Sequence, residues 1–209
     1  QRMRRRLDRL SPTAQTFGLY KPFGVLSQFR SEGSRAGLST LGLSLPKDVW
    51  PVGRLDADSE GILLLTNDMR MRAQMMEPEF GHQRVYWVQV EGEPTFDQIL
   101  ELAKPMTIKV KKQTWVTKPA EAHVLNDLPQ LPERVPPIRF RKSVPTAWLS
   151  LTLTEGKNRQ VRRMTAAVGL PTLRLVRVGV GRLRLEDLDI LPGQCRPLSS
   201  DELAMAMMR

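Results

Sequence analysis

Sulfur and imidazole are scarce in this chain: one cysteine, Cys195, and two histidines, His82 and His123, in 209 residues. A single cysteine cannot form an internal disulfide, which fits a reducing compartment. Three soft ligands scattered along the sequence do not make a tetrahedral zinc site, so no metal is expected. No apolar run reaches the roughly 18 residues of a membrane-spanning helix, and no apolar segment of signal-peptide type stands at the start. Acid is also in short supply. Twenty-two Asp+Glu face 32 Lys+Arg, a formal charge of +10. That balance points to a polyanionic partner, nucleic acid before membrane. The hydrophobic fraction of 41% suffices for a packed interior, so a folded cytoplasmic protein is expected.

What is present is mostly short strands. Residues 1–16 form a basic leader, with Arg2, Arg4, Arg5, Arg6 and Arg9 against Asp8. Such a segment is expected to stay disordered without a partner. Residues 17–209 then form one catalytic-size domain. Phe17 to Tyr20 and Val25 to Phe29, about the turn Lys21-Pro22-Phe23-Gly24, predict a hairpin. A short helix is expected over Leu38 to Leu43. The run Ile62 to Leu65 has the length of a buried strand. Asp68 to Met76 predicts a capped helix with Met69, Ala73 and Met76 on its core face. Arg84 to Glu91 alternates as a strand, and Thr95 to Ala103 predicts a helix burying Phe96, Ile99, Leu100 and Ala103. Strands are expected over Met106 to Lys111 and Trp115 to Leu125. Four prolines make Leu128 to Pro137 an irregular loop. A strand over Thr146 to Thr154, a helix over Lys157 to Val168 ended by Gly169, strands over Leu173 to Val180 and Arg182 to Leu185, and a helix over Asp201 to Met208 complete the chain. Strands outnumber helices without alternating regularly with them, which predicts an α+β fold.

Two stretches could carry chemistry. Gly53 to Asp68, GRLDADSEGILLLTND, sets a charged loop against a core strand, the usual way of presenting functional side chains. Between Arg139 and Arg184 the cations are Arg139, Arg141, Lys142, Lys157, Arg159, Arg162, Arg163, Arg174, Arg177, Arg182 and Arg184, and the only acid is Glu155. Cations at the start of a helix oppose its dipole, so an anion is expected there, either an RNA phosphate or a carboxylate of the fold. An Asp–Arg pair would keep the carboxylate ionised as a nucleophile. Metal-dependent phosphoryl chemistry at Asp56, Asp58 and Glu60 is the competing use of the loop.

The motifs resemble those of the RsuA-like family of bacterial ribosomal RNA pseudouridine synthases. Tyr20-Lys21-Pro22-Phe23-Gly24 is similar to its first motif. Gly53-Arg54-Leu55-Asp56, with Ser59, Gly61 and Leu63 to Asp68, is similar to the second. Glu155-Gly156-Lys157-Asn158-Arg159-Gln160-Val161-Arg162-Arg163-Met164 is similar to the third. The resemblance implies an α+β catalytic domain with a mixed, mainly antiparallel central sheet and two lobes flanking a basic cleft. It implies conversion of a uridine in 23S ribosomal RNA to pseudouridine, by a monomer, without cofactor. Asp56 would be the catalytic aspartate, Arg162 its basic partner and Tyr86 the residue stacking on the base. Arg54, Lys157, Arg159 and Arg163 would contact the RNA, and Leu175 would lie under the catalytic centre. Asp58 and Glu60 fall back to solvated or turn-stabilising roles. The rival classes are a non-catalytic RNA-binding or ribosome-assembly protein, and a nuclease or glycosidase using paired acids.

Overall fold

The computed structural model describes residues 14–138 and 143–208. The basic leader up to residue 13, and Arg139, Arg141 and Lys142, lie outside the described residues. The chain forms two compact units, Gln1–His82 with Val178–Arg209, and Gln83–Arg177. The second is continuous in sequence and interrupts the first.

In the first unit, β1 (Thr16–Lys21) lies between β11 (Cys195–Pro197) and β3 (Glu60–Thr66), antiparallel to both. The two-residue β2 (Trp50–Pro51) also pairs with β3. Every residue of β3 is buried. An unbroken apolar run is what a strand covered on both faces requires. Leu63 and Leu65 join Phe17, Leu19, Val25, Leu38 and Val49 in one core cluster. The core covers Cys195, whose thiol burial pushes up to about 11, so it stays protonated at neutral pH.

In the second unit, β4 (Arg84–Glu91) pairs antiparallel with β8 (Thr146–Leu153), and β8 with β7 (Glu121–Val124). Val88 opposes Leu149 and Tyr86 opposes Leu151, all buried. A separate ribbon of β5 (Thr107–Val110) and β6 (Gln113–Val116) follows α2 (Phe96–Ala103). Strand β9 (Thr172–Val180) is neighbour to β4, runs on into the first unit, and there pairs with β10 (Leu183–Arg184). The fold is α+β with a mainly antiparallel central sheet.

Several expectations are corrected. Residues 25–29 form no strand: Leu26 N donates to Ala36 O and Leu38 N to Gln28 O, so this backbone serves a loop. In α1 (Met69–Met76), capped by Asp68 as expected, Met71 and Met75 are the buried residues, while Met69 and Met76 are exposed. In α2 the buried residue is Leu102, and Phe96 is 76% exposed. With methionines or aliphatics on several faces, apolar spacing alone does not choose the core side. Residues 115–125 divide into β6 and β7. Helix α3 (Gln160–Ala167) begins three residues later than expected, and Leu185 opens a short helix, α4 (Leu185–Leu188), instead of extending a strand. The short strand β11 was not anticipated.

The C-terminal helix α5 (Ser200–Ala206) is tied to β11. Arg196 Nη2 and Nη1 donate to Glu202 Oε1 and Oε2 at 2.6 and 2.9 Å, and Ser199 N donates to Oε2 at 2.8 Å. The guanidinium first, then the Ser199 amide, hold the Glu202 carboxyl down to about 2, against an ordinary value of about 4.3. The folded value is the lower one, so this stabilisation is present above about pH 5 and is lost as pH falls towards 2. Glu202→Gln is therefore expected to destabilise at neutral pH and to lose its penalty progressively through that window. Urea unfolding of both proteins across acid pH measures this; a constant difference would refute the assignment.

Candidate active site

The first unit presents Asp56 on a braced turn. Gly53 turns the chain with φ +74°, a left-handed value that glycine adopts without strain. Arg54 is exposed and Leu55 is buried. One hydroxyl holds both backbone groups of Leu55: Leu55 N donates to Ser27 Oγ at 2.8 Å, and Ser27 Oγ donates to Leu55 O at 2.7 Å. Beyond Asp56, Ala57 O accepts from Gly24 N at 2.7 Å and from Lys21 Nζ at 3.4 Å. Ser59 N closes the turn on Asp56 O at 3.0 Å. The Lys21 side chain is fully buried, and its ammonium also donates to Pro22 O at 2.8 Å and Val25 O at 2.7 Å. A buried ammonium is costly unless its protons find acceptors; here they find the carbonyls that define the loop. Asp56 itself is half-buried. Glu60 is 2% exposed, at the head of β3, so it is no solvated acid.

The second unit carries the remaining candidates in two groups. Tyr86, on β4, is 9% exposed and hydrogen-bonds through its side chain with Arg177 of β9, itself buried. Burial pushes the Arg177 guanidinium below its ordinary value, and Tyr86 partly opposes that shift. Leu175 is buried two residues before Arg177, on the same strand face. Arg177 was not singled out from the sequence. The available signal was an arginine within the apolar strand Leu173 to Val178, because a buried cation requires a partner.

The second group is the segment from Glu155 to Arg163. Glu155 is buried, and its Oε1 accepts from Lys118 N and Gln160 Nε2, both at 2.8 Å. Gln160 Oε1 accepts in turn from Lys157 N at 2.9 Å. This internal network lets a loop precede α3, and Arg159 enters the helix in a left-handed conformation, φ +54°. Arg162 is part-buried, with Nη1 3.5 Å from Thr172 O. Lys157 Nζ lies 3.6 Å from the centroid of Trp115. Arg163 donates Nε to Asn158 O at 3.0 Å and Nη1 to Lys109 O. Arg54 and Asp56 thus share the turn of the first unit, while Tyr86, Leu175 and the four cations belong to the second. Among the described residues no group of three His, Cys, Asp or Glu could hold a metal ion.

With this geometry in place, the chain was compared with known proteins. Residues 15–167 match the family model of RNA pseudouridylate synthase. The chain is 50% identical over 172 residues to the ribosomal large subunit pseudouridine synthase E of Xanthomonas axonopodis pv. citri, covering 81% of this chain and 87% of that protein. It is 47% identical over 180 residues to the protein of the same name from Vibrio vulnificus, covering 86% and 73%. Among solved structures, a crystal structure of pseudouridylate synthase aligns with TM-score 0.73 and 26% identity, over 92% of this chain and 74% of that one.

The bracing of the Asp56 turn is open to test. Ser27→Ala removes both partners of the Leu55 backbone, and an unsatisfied buried group costs about 1–3 kcal/mol. We expect a loss of that order in urea unfolding, with faster hydrogen exchange at the Leu55 amide. Unchanged exchange there would show that the hydroxyl does not hold the turn.

Proposed function

The chain belongs to the RNA pseudouridylate synthase family, and from that membership we propose that it isomerises a specific uridine of 23S ribosomal RNA with Asp56 as nucleophile. It is an enzyme that converts uridine in RNA to pseudouridine. In that reaction the N1–C1′ bond breaks, the uracil turns over, C5 bonds to C1′, C5 gives up its proton, and N1 takes one up. Nothing is oxidised or reduced, so the protein must supply only binding, a carboxylate and proton transfer. The names of the two large-subunit relatives support the choice of RNA.

The observation that carries the role of Asp56 is the turn itself. Lys21, Gly24 and Ser27 fix the backbone on both sides of Asp56, so its carboxylate is presented without reorganisation. The target base must leave its stack to be attacked. Tyr86, held by Arg177, supplies a flat apolar wall for it, and Leu175 floors the same strand face. Arg162, part-buried on α3, is the basic residue of the proposed catalytic set. Arg54, exposed on the turn, and Arg159, exposed before α3, face phosphate, while Lys157 and Arg163 act through the ribbon contacts described above.

Asp56→Ala tests this against a non-catalytic RNA-binding role. In cells lacking the protein, carbodiimide mapping of 23S ribosomal RNA is expected to show one pseudouridine missing. Wild type should restore it and Asp56→Ala should not, while the variant keeps RNA affinity within about tenfold, because phosphate contacts dominate binding. Restoration by Asp56→Ala would overturn the assignment. Arg162→Ala should lower both activity and stability, since it removes a part-buried cation with defined partners; a fully active variant would remove Arg162 from the mechanism.

A further inference from the structure

The ribbon β5–β6 plays no part in the reaction as described, yet its composition and mounting are unusual. From Leu102 to Ala120 there are five lysines, at 104, 109, 111, 112 and 118, and no acid. Residues directly opposite in an antiparallel pair share a face. Ile108, buried, opposes Trp115, and this inner face receives the Lys157 ammonium on the indole ring. The other face carries Thr107, Lys109, Thr114 and Val116, all exposed, with Val116 61% exposed.

A two-stranded ribbon is marginal by itself in water. This one is bolted to the segment that precedes and begins α3. Lys118 N donates to the buried Glu155, Lys157 stacks on Trp115, and Arg163 donates to Lys109 O. Two of the cations expected to hold RNA are therefore occupied in fixing the ribbon to the helix that bears Arg162.

The tip breaks local rules. Val110 pairs with Gln113, so Lys111 and Lys112 are the two central residues of the turn. Lys111 takes φ +57°, where glycine or asparagine is favoured. The sequence instead sets two adjacent like charges there, both exposed. Strain and repulsion at an exposed tip are accounted for if an anion meets them.

We propose that the β5–β6 ribbon is an RNA-docking arm, with Lys109, Lys111 and Lys112 binding consecutive phosphates of the substrate RNA outside the target nucleotide. This rests on the reading that RNA is the substrate. Lysine is a compact point charge suited to phosphate without base preference. The arm adds affinity and register, and its attachment to the Glu155–Arg163 segment transmits that register to α3.

The test uses the full chain with Lys111→Gly and Lys112→Gln together, on protein-free 23S ribosomal RNA transcript. Binding is followed through a KCl titration. The salt slope of log K should fall by about 1.5–2, two phosphates' worth, and affinity near physiological salt by roughly tenfold. KM for pseudouridine formation should rise by the same factor with kcat unchanged. The melting temperature should not fall, since glycine relieves the left-handed position. Unchanged slope, affinity and KM in a normally stable variant would overturn the proposal and leave the ribbon a surface for something other than RNA. A wild-type protein that leaves the transcript unmodified would count against the proposed reaction instead, and the binding slopes would still decide the arm.

Discussion

A buried ammonium governs the first unit. Lys21 sits at the end of β1, where its partner strand β3 begins, and has no water to solvate it. Among the groups that compensate its charge are the backbone carbonyls of Pro22, Val25 and Ala57, which converge on it. The turn after β1 and the turn before β3 are therefore bound to one cation. Gly24 and Ser27 extend the same contact by one backbone and two hydroxyl-mediated hydrogen bonds. An aspartate carried on such a turn inherits a fixed direction from contacts that span 28 to 36 positions of sequence, at the cost of burying a charge. In a low-dielectric setting those bonds are stronger than in water, and each is correspondingly expensive to lose.

The second unit solves a similar problem with different chemistry. Glu155 is buried among neutral donors, Lys118 N and Gln160 Nε2, so a carboxylate organises the loop before α3. Arg177 is buried beside a phenol, which offsets desolvation only in part. In each case a charged side chain within the fold fixes the geometry of residues that face outward. The cations from Lys157 to Arg163 divide accordingly. Lys157 and Arg163 contact the ribbon, and Arg159, in a left-handed conformation, is largely open to solvent.

The sequence made legible those elements whose pattern is one-dimensional. The apolar run at β3, the alternation of β4 and β8, the capped start of α1 and the break at Gly169 are all local signals, and all appear where expected. What failed was decided at long range. Residues 25–29 have strand-like composition, but their hydrogen bonds go to a loop and to Leu55. The buried face of α1 depends on what lies beneath it, and Met71 and Met75 were no more apolar than Met69 and Met76. Strand β11 is three residues long and exists through pairing with β1 alone, across most of the chain. At the candidate site, Asp56, Tyr86 and Arg162 were expected from the family resemblance. Lys21 stood in the first motif without a role, and Ser27 and Arg177 were not singled out, because their work is done on backbone and phenol groups that no spacing in the sequence reveals.

The interruption of one unit by the other has a consequence for synthesis. The second unit is an uninterrupted stretch, Gln83–Arg177, and its strands β4, β7 and β8 pair among themselves. The first needs residues 195–197 to cover β1. As the chain leaves the ribosome from its N-terminus, the unit bearing the arginine-rich helix can therefore be complete while β1 of the other unit still lacks its outer neighbour.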